Sequence, residues 1–186
     1  MKRLFAAVKI YPSIELFNTY NRLKMGLKFA RITWVKPENI HITLKFFGET
    51  DEKRIPDISA VLNEVATRHK PFTSDLVNVG IFGSSYKPKV IWFGIDKSEP
   101  LKHLGIDLLQ ALEATGWEKD RQNFVPHLTI GRIKEIPDKQ LFQIVIDKHK
   151  KTWMQEIQVS EFHLYESILN REGPTYKVIE SYSLKV

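Results

Sequence analysis

Cysteine is missing from this 186-residue chain. Its absence excludes disulfides, thiolate nucleophiles and cysteine-ligated zinc together, while leaving the compartment open. Long apolar runs are missing too. The N-terminal stretch from Met1 to Ile10 is interrupted by Lys9, which makes it too short for a signal-peptide core or a membrane span. It reads as a first strand, and a cytoplasmic protein with no membrane association is expected. Acidic side chains are outnumbered, 22 Asp and Glu against 28 Lys and Arg, for a formal charge of +6. That balance favours anionic partners such as nucleic acid or phosphate esters without selecting one. Low-complexity segments and interdomain linkers are also lacking. With 42% hydrophobic and 27% charged residues, the chain suits one globular domain, or two small lobes sharing a core.

What is present is a phrase written twice. His41-Ile42-Thr43-Leu44 and His127-Leu128-Thr129-Ile130 each set a histidine and a threonine two residues apart, alternating with branched aliphatics. In a strand successive side chains take opposite faces, so His and Thr share one face and the aliphatics the other. Two such strands facing each other bring two imidazoles and two hydroxyls into one groove. A single His-x-Thr is ordinarily a solvent-facing polar stripe; two copies in matched frames point to chemistry. The histidines lie 86 residues apart, close to half the chain.

The elements around them also echo between the halves. Leu4–Ile10 reads as a strand, and Pro12 opens a helix to about Leu27. Strands at Arg31–Val35 and Asn39–Phe47 flank Pro37, with Gly48 stopping the second. Asp51 caps a helix to about His69. Strands Phe72–Phe82 and Lys89–Ile95 flank the loop Gly83-Ser84-Ser85-Tyr86-Lys87-Pro88. A helix then runs from Ser98 or Glu99-Pro100 to Gly116, and the polar loop Glu118–Asn123 leads into a strand over Phe124–Ile133. A short helix starts at Pro137. Two long strands, Trp153–Leu169 and Thr175–Val186, flank the turn Asn170-Arg171-Glu172-Gly173-Pro174. The expected architecture is α+β and bilobal, a single domain over residues 1–186. Two antiparallel sheets face a central groove, helices lie outside, and each lobe contributes one His-x-Thr strand.

Histidine, with an unperturbed pKa of roughly 6.5, gives and takes protons near neutrality. Phosphodiester hydrolysis needs a base for the attacking oxygen and an acid for the leaving one, and two histidines on opposite sides of a phosphorus supply both. Threonine hydroxyls and a guanidinium such as that of Arg132 can hold the non-bridging oxygens. No metal or other cofactor is called for. Two histidines without a third histidine or a carboxylate in their frames make a poor zinc site. His69, His103, His149 and His163 lack the frame and read as surface or packing residues.

At these residues the chain resembles the two-histidine phosphoesterases, and within them the RNA 2′,3′-cyclic phosphodiesterases, also called 2′-5′ RNA ligases. The resemblance is carried by Trp34-Val35-Lys36-Pro37-Glu38-Asn39-Ile40-His41-Ile42-Thr43-Leu44-Lys45-Phe46-Phe47-Gly48-Glu49 and by Phe124-Val125-Pro126-His127-Leu128-Thr129-Ile130-Gly131-Arg132. It continues through Val79–Gly83, Val90–Gly94 and the stretch from Leu164 to Tyr176. It implies that fold, and metal-independent opening of a terminal 2′,3′-cyclic phosphate on RNA to a 2′-phosphomonoester. It implies His41 as proton donor to the leaving oxygen, His127 as the base that activates water, and Thr43 and Thr129 as phosphate ligands. In the ligase direction a 5′-hydroxyl replaces water. The motifs are nearly symmetric, so their pattern alone does not say which histidine is acid and which is base. Substrates in view are RNA ends, tRNA fragments among them, acted on by a monomer in RNA processing. The alternatives are another cyclic phosphate, a 2′-5′ oligonucleotide, or a non-catalytic module that binds RNA ends.

The resemblance also places Phe46 against the terminal base and Arg132 near the phosphate. Strict period two turns both away from the His/Thr face, so a bulge or a kink at Gly131 is required if they are to serve there. The same alternation puts Lys45 on the face of His41 and Thr43. Lys148-His149-Lys150-Lys151 is a basic run suited to an RNA backbone or simply to a solvated loop.

Overall fold

Amphipathic segments of both periods alternate along this chain, so each helix and each sheet face has an apolar side to bury against the other. The computed structural model describes residues 1–84, 86–118, 123–171 and 173–185. Its elements are β1 (Lys2–Lys9), α1 (Ile14–Gly26), β2 (Arg31–Trp34), β3 (His41–Thr50), α2 (Ile55–Thr67), β4 (Phe72–Gly83), β5 (Pro88–Asp96), α3 (Glu99–Ala114), β6 (Leu128–Glu135), α4 (Lys139–Asp147), β7 (Trp153–Val159), β8 (Glu161–Asn170) and β9 (Gly173–Ser183). Helices α1 and α4 start on side-chain caps, whereas α2 and α3 begin without one, the Asp51 carboxylate capping instead the short turn Glu52–Arg54 ahead of α2. The Ser13 hydroxyl accepts from the Leu16 N–H at 3.2 Å, one residue past the expected start at Pro12, and the Asp138 carboxylate accepts from the Leu141 N–H at 2.8 Å.

The strands form one antiparallel sheet in the order β7-β4-β5-β6-β3-β1-β8-β9, with β2 added on β6. It consists of two wings, β3-β1-β8-β9 and β6-β5-β4-β7, joined through the single pair Ile42–Leu128. The two expected sheets are therefore halves of one sheet, joined side by side at the histidine strands. One face of the sheet is apolar and covered: α2 and α3 pack on β9 and β3, and α1 and α4 on β7 and β4. Leu4, Ala6, Val8, Ile42, Leu44, Leu128 and Ile130 bury their side chains there. The other face is the groove. No helix among the described residues is long and apolar enough to cross a membrane.

The wings do not follow the halves of the chain. The segment Trp153–Leu169, expected as one strand, is two, broken at Ser160, with β7 on the outer edge of one wing and β8 inside the other. Ser160 carries no strong turn signature, and its carbonyl accepts from the Leu184 N–H at 2.8 Å, just past the end of β9. The polar loop Glu118–Asn123 lies largely outside the described residues, as do Ser85 and Glu172 in the two turns. Gly48 does not stop its strand: β3 runs on to Thr50 with Gly48 at φ +73°. The strand expected over Phe124–Ile133 begins only at Leu128, leaving Phe124–His127 outside the ladder. The run Lys148–Lys151 falls in the turn after α4, beside β7 and β4 and so at the sheet edge away from the histidine strands.

Gly105 of α3 makes room for this approach segment. A Cβ there would lie 2.2 Å from the Phe124 ring. Gly to Ala inside a helix normally gains about 1 kcal/mol, whereas overpacking costs about 1–3 kcal/mol. Gly105→Ala is therefore expected to lower stability by about 1 kcal/mol, read from the denaturant midpoint; a more stable variant contradicts this packing.

Candidate active site

The register decides how the two motifs meet. With Ile42 opposite Leu128 in an antiparallel pair, one residue either way places His41 beside Thr129 and Thr43 beside His127. The four polar side chains then form a two-by-two array on the groove face, each histidine diagonal to the other. Both rings are held alike. His41 Nδ1 lies 2.7 Å from the Asn39 carbonyl and His127 Nδ1 lies 2.8 Å from that of Val125. A carbonyl can only accept, so Nδ1 carries the proton and donates in both rings. Each Nε2 is left without a protein partner among the described residues, able to take a proton when neutral and to give one when charged.

The surroundings favour the neutral forms. Burial pushes the His41 imidazole below its ordinary value; the Asn39 carbonyl opposes this, and the positive charges of Arg132 and His127 add to it. His127 is lowered in the same way, by burial first, against its bond to Val125, with Arg132 adding. The Arg132 guanidinium is thus within electrostatic reach of both rings, and its side chain has no ion pair or hydrogen bond among the described residues.

Arg132 comes to this face through a bulge. β5 pairs Trp92 with Thr129 but Val90 with Arg132, so Ile130 is an extra residue and Arg132 returns to the side of Thr129. β3 carries the same device: Ala7 pairs with Thr43 and Ala6 with Lys45, so Leu44 is extra and Phe46, opposite Phe5, regains the groove face. In both motifs the third residue after the threonine is re-aimed into the groove, where strict alternation would have lost it. The correction falls on Lys45. Expected beside His41 and Thr43, it is turned to the helix side, 6% exposed, with Nζ donating to the Glu118 carbonyl at 3.3 Å.

Aromatic rings wall the site. Phe5 lies 5.0 Å from His41 and Tyr176 meets it edge-on at 5.2 Å. Phe82 meets His127 edge-on at 4.7 Å. Phe5, Ala7, Tyr165 and Tyr176 form a small apolar cluster on the groove face, separate from the main core. Burial holds the Tyr165 and Tyr176 hydroxyls above their ordinary range, Tyr165 at about 12, so both stay protonated near neutrality. Sequence reasoning does not single out these walls. The available signal is β1, where Phe5 and Ala7 alternate with Leu4, Ala6 and Val8, the mark of a strand with both faces covered. Phe46 keeps 49% of its surface exposed, with Phe5 stacked beside its ring at 6.3 Å. Of the remaining histidines, His69 pairs with Asp107, while His163, bonded to Ser181, stands opposite Ala7 on the groove face with its ring 5.5 Å from that of Tyr165. Among the described residues no three His, Cys, Asp or Glu side chains converge to hold a metal ion.

Comparison with known proteins gives a consistent assignment. A relative from Archaeoglobus fulgidus named RNA 2′,3′-cyclic phosphodiesterase is 33% identical over 183 residues, covering 94% of this chain and 96% of its own. One of the same name from Thermotoga maritima is 35% identical over 177 residues, covering 95% and 92%. A crystal structure from Thermus thermophilus superposes with a TM-score of 0.76 at 27% identity, covering 98% of this chain and 97% of that one. E. coli LigT complexed with 3′-AMP shares the fold at a TM-score of 0.76 and 22% identity, covering 100% and 99%. The family model of the 2′-5′ RNA ligase superfamily matches residues 14–170, and the chain belongs to that superfamily.

Proposed function

We propose that this chain hydrolyses the 2′,3′-cyclic phosphate at the end of an RNA strand to a 2′-phosphomonoester. The observation that carries the reading is the array itself: two imidazoles fixed through Nδ1, each with Nε2 left without a protein partner among the described residues, and two threonines beside them. A phosphate seated on the array has one Nε2 on each side. His127 takes a proton from water as its oxygen bonds to phosphorus. His41, protonated, gives its proton to O3′ as the P–O3′ bond breaks. Thr43, Thr129 and Arg132 hold the non-bridging oxygens, where charge builds in the transition state. Phe46 offers its face to the terminal base. After one turnover the two histidines have exchanged protonation states and reset through solvent. A 5′-hydroxyl in place of water gives a 2′-5′ linkage by the same path.

Acid, base and positive charge are all supplied by side chains, so the reaction needs no metal. The enzyme is read as a monomer acting on RNA ends in the cytoplasm, tRNA fragments among them. The test is turnover of an RNA oligonucleotide with a 2′,3′-cyclic end in excess EDTA, followed by phosphatase sensitivity of the end. The rate is expected to equal that without EDTA. Tight binding without turnover, or a rate abolished by EDTA and restored by a divalent ion, would contradict the reading.

A further inference from the structure

On β1, Arg3, Phe5 and Ala7 share the groove face, and Arg3 lies beyond Phe5 in the direction away from the histidines. Its guanidinium sits 5.1 Å from the centre of the Phe46 ring. Its neighbour Lys2 is neutralised by Glu52 and Glu166. Arg3, by contrast, makes no ion pair among the described residues, although Glu49 stands opposite it on β3. A guanidinium held near a ring by cation–π attraction keeps N–H donors available, and their fork matches a phosphate. The cation also makes itself felt further along the groove, since Arg3 and Arg132 both act electrostatically on Tyr176.

In a nucleotide the 5′ oxygen leaves the sugar on the side opposite the 2′ and 3′ oxygens. With the cyclic phosphate on the His/Thr array and the base at Phe46, the strand continues past Phe46, toward Arg3. Resting on the function proposed above, we infer that Arg3 is the subsite for the phosphodiester on the 5′ side of the terminal nucleotide. It makes the enzyme select an RNA strand over a mononucleotide 2′,3′-cyclic phosphate, because only the strand carries the group that Arg3 binds.

The two substrates give the test. For wild type, Arg3→Ala and Arg3→Lys, kcat/KM is measured on an oligonucleotide with a cyclic end and on 2′,3′-cyclic AMP, over a series of salt concentrations. Arg3→Ala is expected to lower the oligonucleotide-to-mononucleotide ratio about tenfold, the effect of one charge-assisted phosphate contact. The slope of log kcat/KM against log salt on the oligonucleotide should become shallower by about 0.7. Arg3→Lys, which keeps the charge and not the fork, should retain the salt slope and part of the ratio. An equal loss on both substrates would mean that Arg3 only supports Phe46, and would overturn the subsite. So would an unchanged ratio in either variant. If wild type turns over neither substrate, it is the underlying hydrolase reading that fails, a result distinct from either of these.

Discussion

Replacing either His41 or His127 with alanine is expected to lower kcat by about 10²–10⁴-fold, the usual worth of a positioned general acid or base. The double variant should fall little further, because an acid and a base that act in one step lose most of their value when either is gone. The two positions should differ in stability. His41 packs between Phe5 and Tyr176, so His41→Ala also opens a gap in the aromatic wall, whereas His127 meets Phe82 from a segment outside the ladder. His41→Asn and His127→Asn keep a polar side chain of smaller volume and separate the two effects. Activity lost with an unchanged denaturation midpoint identifies chemistry. Wild-type turnover by both alanine variants would end the acid–base account.

Arg132→Ala should cost about 10²–10³-fold in kcat, as when a donor to developing oxyanion charge is removed. Arg132→Lys should recover only part of it, since an ammonium restores the charge without the fork. The pH profile distinguishes transition-state stabilisation from mere folding support. kcat/KM reports the ionisations of the free enzyme, in which burial first and Arg132 after it hold both imidazoles below the ordinary value of 6.5. Both limbs of the wild-type bell should therefore lie at lower pH than two unperturbed histidines would give. Removing the guanidinium removes a repulsion that disfavours each imidazolium, so both limbs should move to higher pH in Arg132→Ala. A profile that stays in place while the rate falls would put Arg132 out of reach of the two rings.

The His-x-Thr frames were legible in the sequence because they lie in, or at the very start of, strands of period two, and so was the helix stripe that backs each wing. What escaped was set by a single residue in each strand. The extra Leu44 and Ile130 follow no composition rule, being apolar residues in apolar runs. Yet each reverses the alternation after it, carrying Phe46 and Arg132 into the groove and Lys45 out of it. Only the neighbouring strands, which pair across these residues, reveal the shift. The break at Ser160 has the same origin. Propensity favours a continuous strand from Trp153 to Leu169, and the tertiary demand that β7 and β8 serve different wings overrides it. The aromatic wall around His41 draws on β1, β8 and β9, elements far apart in sequence that no local pattern connects.

The central claim is that His127 and His41 sit on opposite sides of one phosphorus, so that water enters as O3′ leaves. It is tested most directly by the identity of the product. An oligonucleotide with a 2′,3′-cyclic end is opened in ¹⁸O-labelled water with EDTA present, and the product is resolved by ³¹P NMR and mass. A 2′-phosphomonoester alone, carrying one ¹⁸O on phosphorus, is the predicted result. A 3′-phosphomonoester, a mixture of the two isomers, or a product without the label would contradict it.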